Sequence, residues 1–211
     1  MPSSDTSVRK AHPDLKLFLR EEKTARLLEG LGSGDLDLLL MAFPYSVEGL
    51  EMAVFANDPF WVAFPKGHWC ADRERVSMAD LKGEELMLLG EGRCLRDHAL
   101  AFGGGKGTPP GEFQASSLHT LVQMVDNGLG LTLLPKMAID SGITRGTGVQ
   151  VRPVEGKTFS RQIGIAWRAS SSRKGDFALL AEYFRDELAT PLPPQRKRTG
   201  TGKGRGKGAG I

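Results

Sequence analysis

The sequence predicts an α/β fold, and three stretches predict it. The apolar run at 36–43 directly follows a helical pattern, the segment SSLHTLVQMVDNGLGLTLLP at 116–135 reads as a capped helix feeding a strand, and residues 176–188 repeat apolar side chains on one helical stripe. Helices alternating with apolar runs short enough to be strands are what a helix-covered sheet requires.

In chain order, residues 1–10 are polar and aperiodic and are expected to be loose. LKLFLR at 15–20 alternates apolar and polar residues as a half-buried strand does. Thr24 is placed to cap a helix through Leu31 that turns Leu27, Leu28 and Leu31 inward, with Gly32 and Gly34 stopping it. The run 36–43 then reads as a strand covered on both faces, as in a parallel sheet. Beyond Pro59, FWVAF at 60–64 is a strand, a short helix follows Ser77, and LMLL at 86–89 is another strand.

Gly90 and Gly92 break that run. Leu95, Ala99 and Phe102 then recur at helical spacing until three glycines from Gly103. A strand near 113–115 precedes the helix opened by Ser117, which carries Leu118, Leu121, Val122 and Val125 on one face. Gly128 closes the helix, and a strand over 129–134 stops before Pro135. VQVRPV at 149–154 and QIGIAW at 162–167 are further strands. The last helix places Phe177, Leu180, Ala181, Phe184 and Leu188 on one stripe.

The bulk numbers exclude several classes. At 211 residues and 40% hydrophobic, the chain can bury a core in one domain or two small lobes. No apolar run is long enough to cross a bilayer, and MPSSDTSVRK has no signal-peptide core, so a cytoplasmic location without membrane contact is expected. Two cysteines and four histidines show no metal-binding cadence, so neither a metal nor a cofactor is expected. The net charge of +3 is set by the tail. Arg196, Lys197, Arg198, Lys203, Arg205 and Lys207 stand there without an acid, leaving 22 bases against 25 acids elsewhere, near −3. An acidic body is not a nucleic-acid-binding surface. The Gly-rich tail from Pro191 cannot fold alone; it reads as a solvated extension, with weak attachment to nucleic acid as the alternative.

Cys94 is the residue with chemistry to offer. At the first turn of its predicted helix, unpaired backbone N–H groups, the helix dipole and the flanking Arg93 and Arg96 favour a thiolate. Asp97 and His98, within one turn, can accept or donate a proton. The plain alternative is a small buried residue.

GRCLRDHAL together with segment 116–135 resembles the regulatory domain of OxyR-like, LysR-type transcription regulators, from about His12 to about Leu188. The resemblance implies two Rossmann-like lobes, as in type 2 periplasmic-binding proteins. Residues 11–57 plus 163–190 would form lobe I, 58–162 lobe II, and 191–211 a disordered tail. It assigns peroxide reactivity to Cys94 and a pocket role to Thr24, Arg161 and Asp97, with Arg96 and His98 beside them. The plain readings are a helix N-cap for Thr24, a solvated strand edge for Arg161, and an exposed carboxylate pairing with Arg93 or Arg96 for Asp97.

The sequence departs from the pattern. The family's second cysteine stands nine positions on, where this chain has Gly103, and its usual histidine before the cysteine is Arg93. Cys70, in GHWCADRE, reads as a surface residue and engages Cys94 only if their Cα atoms approach within about 7 Å. The family's helix-turn-helix, linker helix and first effector strand are not among these residues, so the chain reads as a fragment or as having a misplaced start. Promoter DNA would be reached only through that absent part, and a homodimer or tetramer would form through effector domains.

Three functions are therefore open. One is a peroxide-sensing transcription regulator, which is not an enzyme. The second is an effector domain binding a small anionic metabolite in the inter-lobe cleft at the Ser116–Ser117 helix start. The third is a thiol peroxidase that needs an external thiol.

Overall fold

The computed structural model describes residues 15–43, 48–87, 89, 115, 117–155 and 159–189. In order they form α1 (Thr24–Ser33), β1 (Leu38–Phe43), β2 (Leu50–Phe64), a 3-10 turn (Trp69–Asp72), β3 (Leu86–Met87), α2 (Leu118–Asp126), β4 (Leu131–Pro135), α3 (Lys136–Asp140), β5 (Gln150–Pro153), β6 (Ser160–Arg168) and α4 (Lys174–Ala189). The strands run in the order β1-β6-β2-β4-β3, with β5 also on β2.

The long strand β2 is the spine. Its first part runs antiparallel to β6, from Leu50 opposite Arg168 to Pro59 opposite Ser160. From Phe60 onward it changes partners and lies between β4 (Phe60 opposite Pro135) and β5 (Trp61 opposite Pro153), both antiparallel. The register shifts between Val54 and Ala56. Bulges of this kind bend a strand and re-aim a side chain, and Phe55 here meets the Phe184 ring at 5.4 Å between centroids. Gly164 faces this bulge. A Cβ there would lie 2.4 Å from the Ala53 carbonyl oxygen, so the two strands approach this closely only because position 164 has no side chain.

Apolar cores lie against both parts of β2. Phe55, Ile163, Ile165, Trp167, Phe177 and Ala181 form one, which seats α4 on β6 and β2. Val62, Phe64, Cys70, Val76, Leu131 and Leu133 form another. α2 buries Leu121, Val122 and Val125, each side chain contributing about 1.5–3 kcal/mol. Polar contacts fix the helix ends. Arg168 donates from Nη1 to the Leu31 and Leu36 carbonyls at the end of α1. Glu51 accepts from Lys174 Nζ at 2.6 Å and from Trp167 Nε1 at 3.2 Å where α4 begins.

The α/β class holds, with corrections to its elements. Residues 15–20 are not a strand, and Phe18 is 90% exposed: an alternating pattern makes a strand only where an edge receives it. The helix expected from Thr24 runs on through Gly32 to Ser33 and ends at Gly34, whose φ of 92° is the left-handed C-cap conformation. β1 starts at Leu38, pairs antiparallel with β6 rather than in a parallel unit, and leaves Leu40 exposed. Its partner comes from far along the chain, so the local strand-helix-strand pattern does not set its direction. FWVAF is only the last third of β2. The residues after Ser77 make turns held by Asp80, which accepts from Ser77 N at 2.9 Å, and not a helix. The strand at 86–89 is Leu86–Met87 with an isolated bridge from Leu89 to Ala115. β4 begins at Leu131 and takes in Pro135, α3 was not expected, and Leu188 is exposed at the end of α4. The predicted helix over 94–102 lies outside the described residues.

Candidate functional site

A buried ion pair lies near the end of the antiparallel pairing of β2 with β6. Asp58 and Arg161 are opposite one another in the ladder. Asp58 Oδ2 accepts from Arg161 Nε at 3.0 Å and from Nη2 at 2.9 Å. Asp58 Oδ1 accepts from the Met137 backbone N–H at 2.9 Å, one of the first-turn amides of α3 that the helix itself leaves without a carbonyl. The carboxylate is 0% exposed and the guanidinium side chain 19% exposed. A buried charge persists when it is paired and its remaining lone pairs are hydrogen-bonded, and both oxygens of Asp58 are occupied. The reading of Arg161 as a solvated edge residue is thereby corrected. It is a mostly buried cation held in the β2–β6 ladder.

Asp58 was missed in the sequence. Between Asn57 and Pro59 an acid reads as a turn, and its partner lies 103 positions away. The one available signal was the apolar strand pattern at 60–64 that begins two residues after it.

Thr24 is half-buried as the first residue of α1, but it does not cap the helix. Lys23 holds the N-cap position in extended conformation, with no side-chain cap hydrogen bond. The Thr24 hydroxyl has no hydrogen-bond partner among the described residues, which removes the plain N-cap reading. Ser117 does cap its helix. Its Oγ accepts from Thr120 N at 3.1 Å and lies 3.0 Å from Thr120 Oγ1. Cys94, Arg96, Asp97, His98 and Ser116 lie outside the described residues.

Cys70 corrects another expectation. It is 0% exposed, packed among Val62, Phe64, Val76 and Leu133 rather than at the surface. His68 Nδ1 accepts from Cys70 N at 3.3 Å and starts the 3-10 turn that points the sulfur inward. Burial, with the Glu84 carboxylate adding to it, pushes the Cys70 thiol up to about 11, away from the reactive thiolate. Among the described residues there is no group of three or more His, Cys, Asp or Glu that could hold a metal ion. None of their helices is long and apolar enough to cross a membrane.

A LysR substrate-binding domain model matches residues 6–189. The chain belongs to the LysR substrate-binding domain family. The hydrogen peroxide-inducible genes activator of Dickeya chrysanthemi is 35% identical over 192 residues, covering 89% of this chain and 62% of that protein. The HTH-type transcriptional regulator EstR of Acinetobacter baylyi is 34% identical over 188 residues, covering 87% of this chain and 61% of that one. This LysR domain thus spans a little under two thirds of the curated relatives. Among solved structures, the reduced regulatory domain of OxyR2 from Vibrio vulnificus matches with a TM-score of 0.79 and 38% identity, over 88% of this chain and 87% of that chain. The two-lobe, periplasmic-binding-protein-like α/β class expected for LysR effector domains is the class of this chain.

Proposed function

We propose that this LysR domain is the regulatory part of a peroxide-sensing transcription regulator and that Cys94 is its sensor. The carrying observation is the likeness to a reduced OxyR2 regulatory domain in a chain that keeps a cysteine in its C-L-R-D run. The Cys94 sulfur, as thiolate, attacks one peroxide oxygen. The O–O bond breaks, sulfur is oxidised by two electrons to sulfenic acid, and the departing hydroxide takes a proton to leave as water. Arg161 supplies the cation, Thr24 a hydroxyl for the peroxide, and Arg96, Asp97 and His98 the neighbouring charge and proton acceptor.

Topology supports placing Thr24 and Arg161 at one end. The last turn of α1 is tied to Arg168, the C-terminal residue of β6. β1 then runs back from Leu38 opposite Trp167 to Phe43 opposite Gln162. A ten-residue helix is about 15 Å long, so an α1 that folds back along β1 would bring its first residue toward the Arg161 end of β6.

Residues 11–57 with 163–190 form lobe I and 58–162 lobe II in this reading. The change of β2 partners between Pro59 and Phe60 supports that division. The protein acts in the cytoplasm, assembles as a homodimer or tetramer through such domains, and reaches promoter DNA through a helix-turn-helix outside these residues. With Gly103 where the family has its second cysteine, oxidation ends at sulfenic acid or, with a small thiol, at a mixed disulfide and water.

Intact-mass analysis after brief exposure to one equivalent of peroxide tests this. One oxygen should be gained at Cys94 and none in Cys94→Ser. Equal uptake by the two proteins, or none by either, would sink the proposal. The missing second cysteine favours one other reading, an anionic metabolite bound near Ser116 and Ser117. Stabilisation of Cys94→Ser by an organic acid in a thermal-shift series would select it.

A further inference from the structure

We propose that Asp58 is the positioning residue for Arg161: it holds the guanidinium against the neighbouring strand of the β2–β6 ladder and offsets its charge, so that it limits the cation offered to the sensor thiol. The inference rests on the reading of Arg161 as the cation of the Cys94 site.

Three features of Asp58 argue for it. Its two hydrogen bonds to Arg161, at 2.9 and 3.0 Å, fall on the same carboxylate oxygen and fix two of the three guanidinium nitrogens in direction. Its other oxygen is tied to Met137 N at 2.9 Å, so the carboxylate cannot follow Arg161 if the guanidinium turns toward another anion. It is also wholly buried, so water does not screen it and the attraction between the two charges is felt at close to full strength. A developing thiolate therefore competes with a fixed carboxylate for Arg161. The cation is held in place and at the same time partly neutralised.

An isosteric amide separates these two effects. Asn keeps one oxygen able to accept from Arg161, gives up the bond from Met137 N because its NH2 cannot accept, and removes the negative charge, so Asp58→Asn should make Arg161 a stronger cation still anchored by that oxygen. The experiment is the pH profile of Cys94 alkylation by iodoacetamide in the full chain, read by peptide mass so that Cys70 does not contribute. Melting temperatures are recorded for every variant.

Asp58→Asn should move the midpoint of the profile down by about one pH unit, within the range by which an adjacent opposite charge shifts an ionisable group. Below that midpoint the rate should rise about threefold, less than the tenfold gain in thiolate because a less basic sulfur is a weaker nucleophile. The shift should vanish when Arg161 is also replaced, Asp58→Asn/Arg161→Gln matching Arg161→Gln alone. Asp58→Glu, which keeps the charge, should restore the original midpoint.

A midpoint unmoved or moved upward in folded Asp58→Asn overturns the inference, as does a shift that persists without Arg161. If Asp58→Asn does not fold, Asp58→Glu and the double variant decide it: a midpoint in Asp58→Glu that follows the double variant rather than the native chain overturns it. The underlying reading fails differently. If Arg161→Gln leaves the Cys94 profile where it was, Arg161 is not the cation of that site. If Arg161→Gln raises the midpoint while Asp58→Asn does nothing, only the role of Asp58 is lost.

Discussion

Two fully buried ionisable residues, Asp58 and Cys70, stand on either side of the point where β2 changes partners, and they live in opposite surroundings. Asp58 has a guanidinium and a backbone amide within 3.0 Å. Cys70 sits among Val62, Phe64, Val76 and Leu133 with a carboxylate, Glu84, as a nearby charge, and its thiol is driven up to about 11. Burial by itself quiets a group. Burial with partners holds a charge in a chosen place, and only the second arrangement can influence chemistry at a neighbour.

The largest test of this contrast removes one side of the pair. Arg161→Gln leaves the Asp58 carboxylate buried without its cation and should cost about 3 kcal/mol in urea unfolding. Asp58→Asn/Arg161→Gln, with neither charge, should recover most of that loss. If single and double variants are equally destabilised, the pair is not what this part of the sheet depends on.

Cys70 comes next. Its folded-state value lies above the ordinary 9.0, so the folded chain keeps a proton that the unfolded chain releases. The resulting stability is fully present below pH 9 and is lost as pH rises through about 11. Two pH units at 1.4 kcal/mol each set an upper size of about 3 kcal/mol, and about 2 is expected. Cys70→Ala should be less stable at pH 7 yet show a flatter decline between pH 9 and 11 than the native chain. The same steep decline in both would show that another group titrates.

Smaller effects sharpen the contrast at the two hydroxyls. Ser117→Ala removes the bond to Thr120 N and should cost about 1 kcal/mol by thermal or urea unfolding. Thr24→Ala removes no cap and should cost less than about 0.5 kcal/mol, while slowing oxidation of Cys94 by peroxide. A loss at Thr24 as large as that at Ser117 would make Thr24 structural after all.

Local signals were legible. The hydroxyl of Ser117, the apolar face Leu121, Val122 and Val125, and the run into β4 all depend on neighbours within a few residues, and the structure keeps them. So does the stripe Phe177 and Ala181 of α4. Some failures were local, as at Ser77, whose turn is held by Asp80, and at Thr24, which follows the N-cap; the larger ones were decided at a distance. The first part of β2 hides in EMAVFANDP because it pairs with a strand more than a hundred residues later. Asp58 takes its meaning from Arg161, and Cys70 looks exposed among Asp72, Arg73 and Glu74 until the 3-10 turn rolls its sulfur against Phe64. Of the site, Arg161 and Thr24 came from resemblance. Their surroundings came only from three-dimensional pairing.

Because β2 is one unbroken strand belonging to both sets of pairings, neither half of the sheet can be turned against the other without twisting the same backbone. Any rearrangement of one set of pairings has to be accommodated in that shared strand, whose register already steps between Val54 and Ala56.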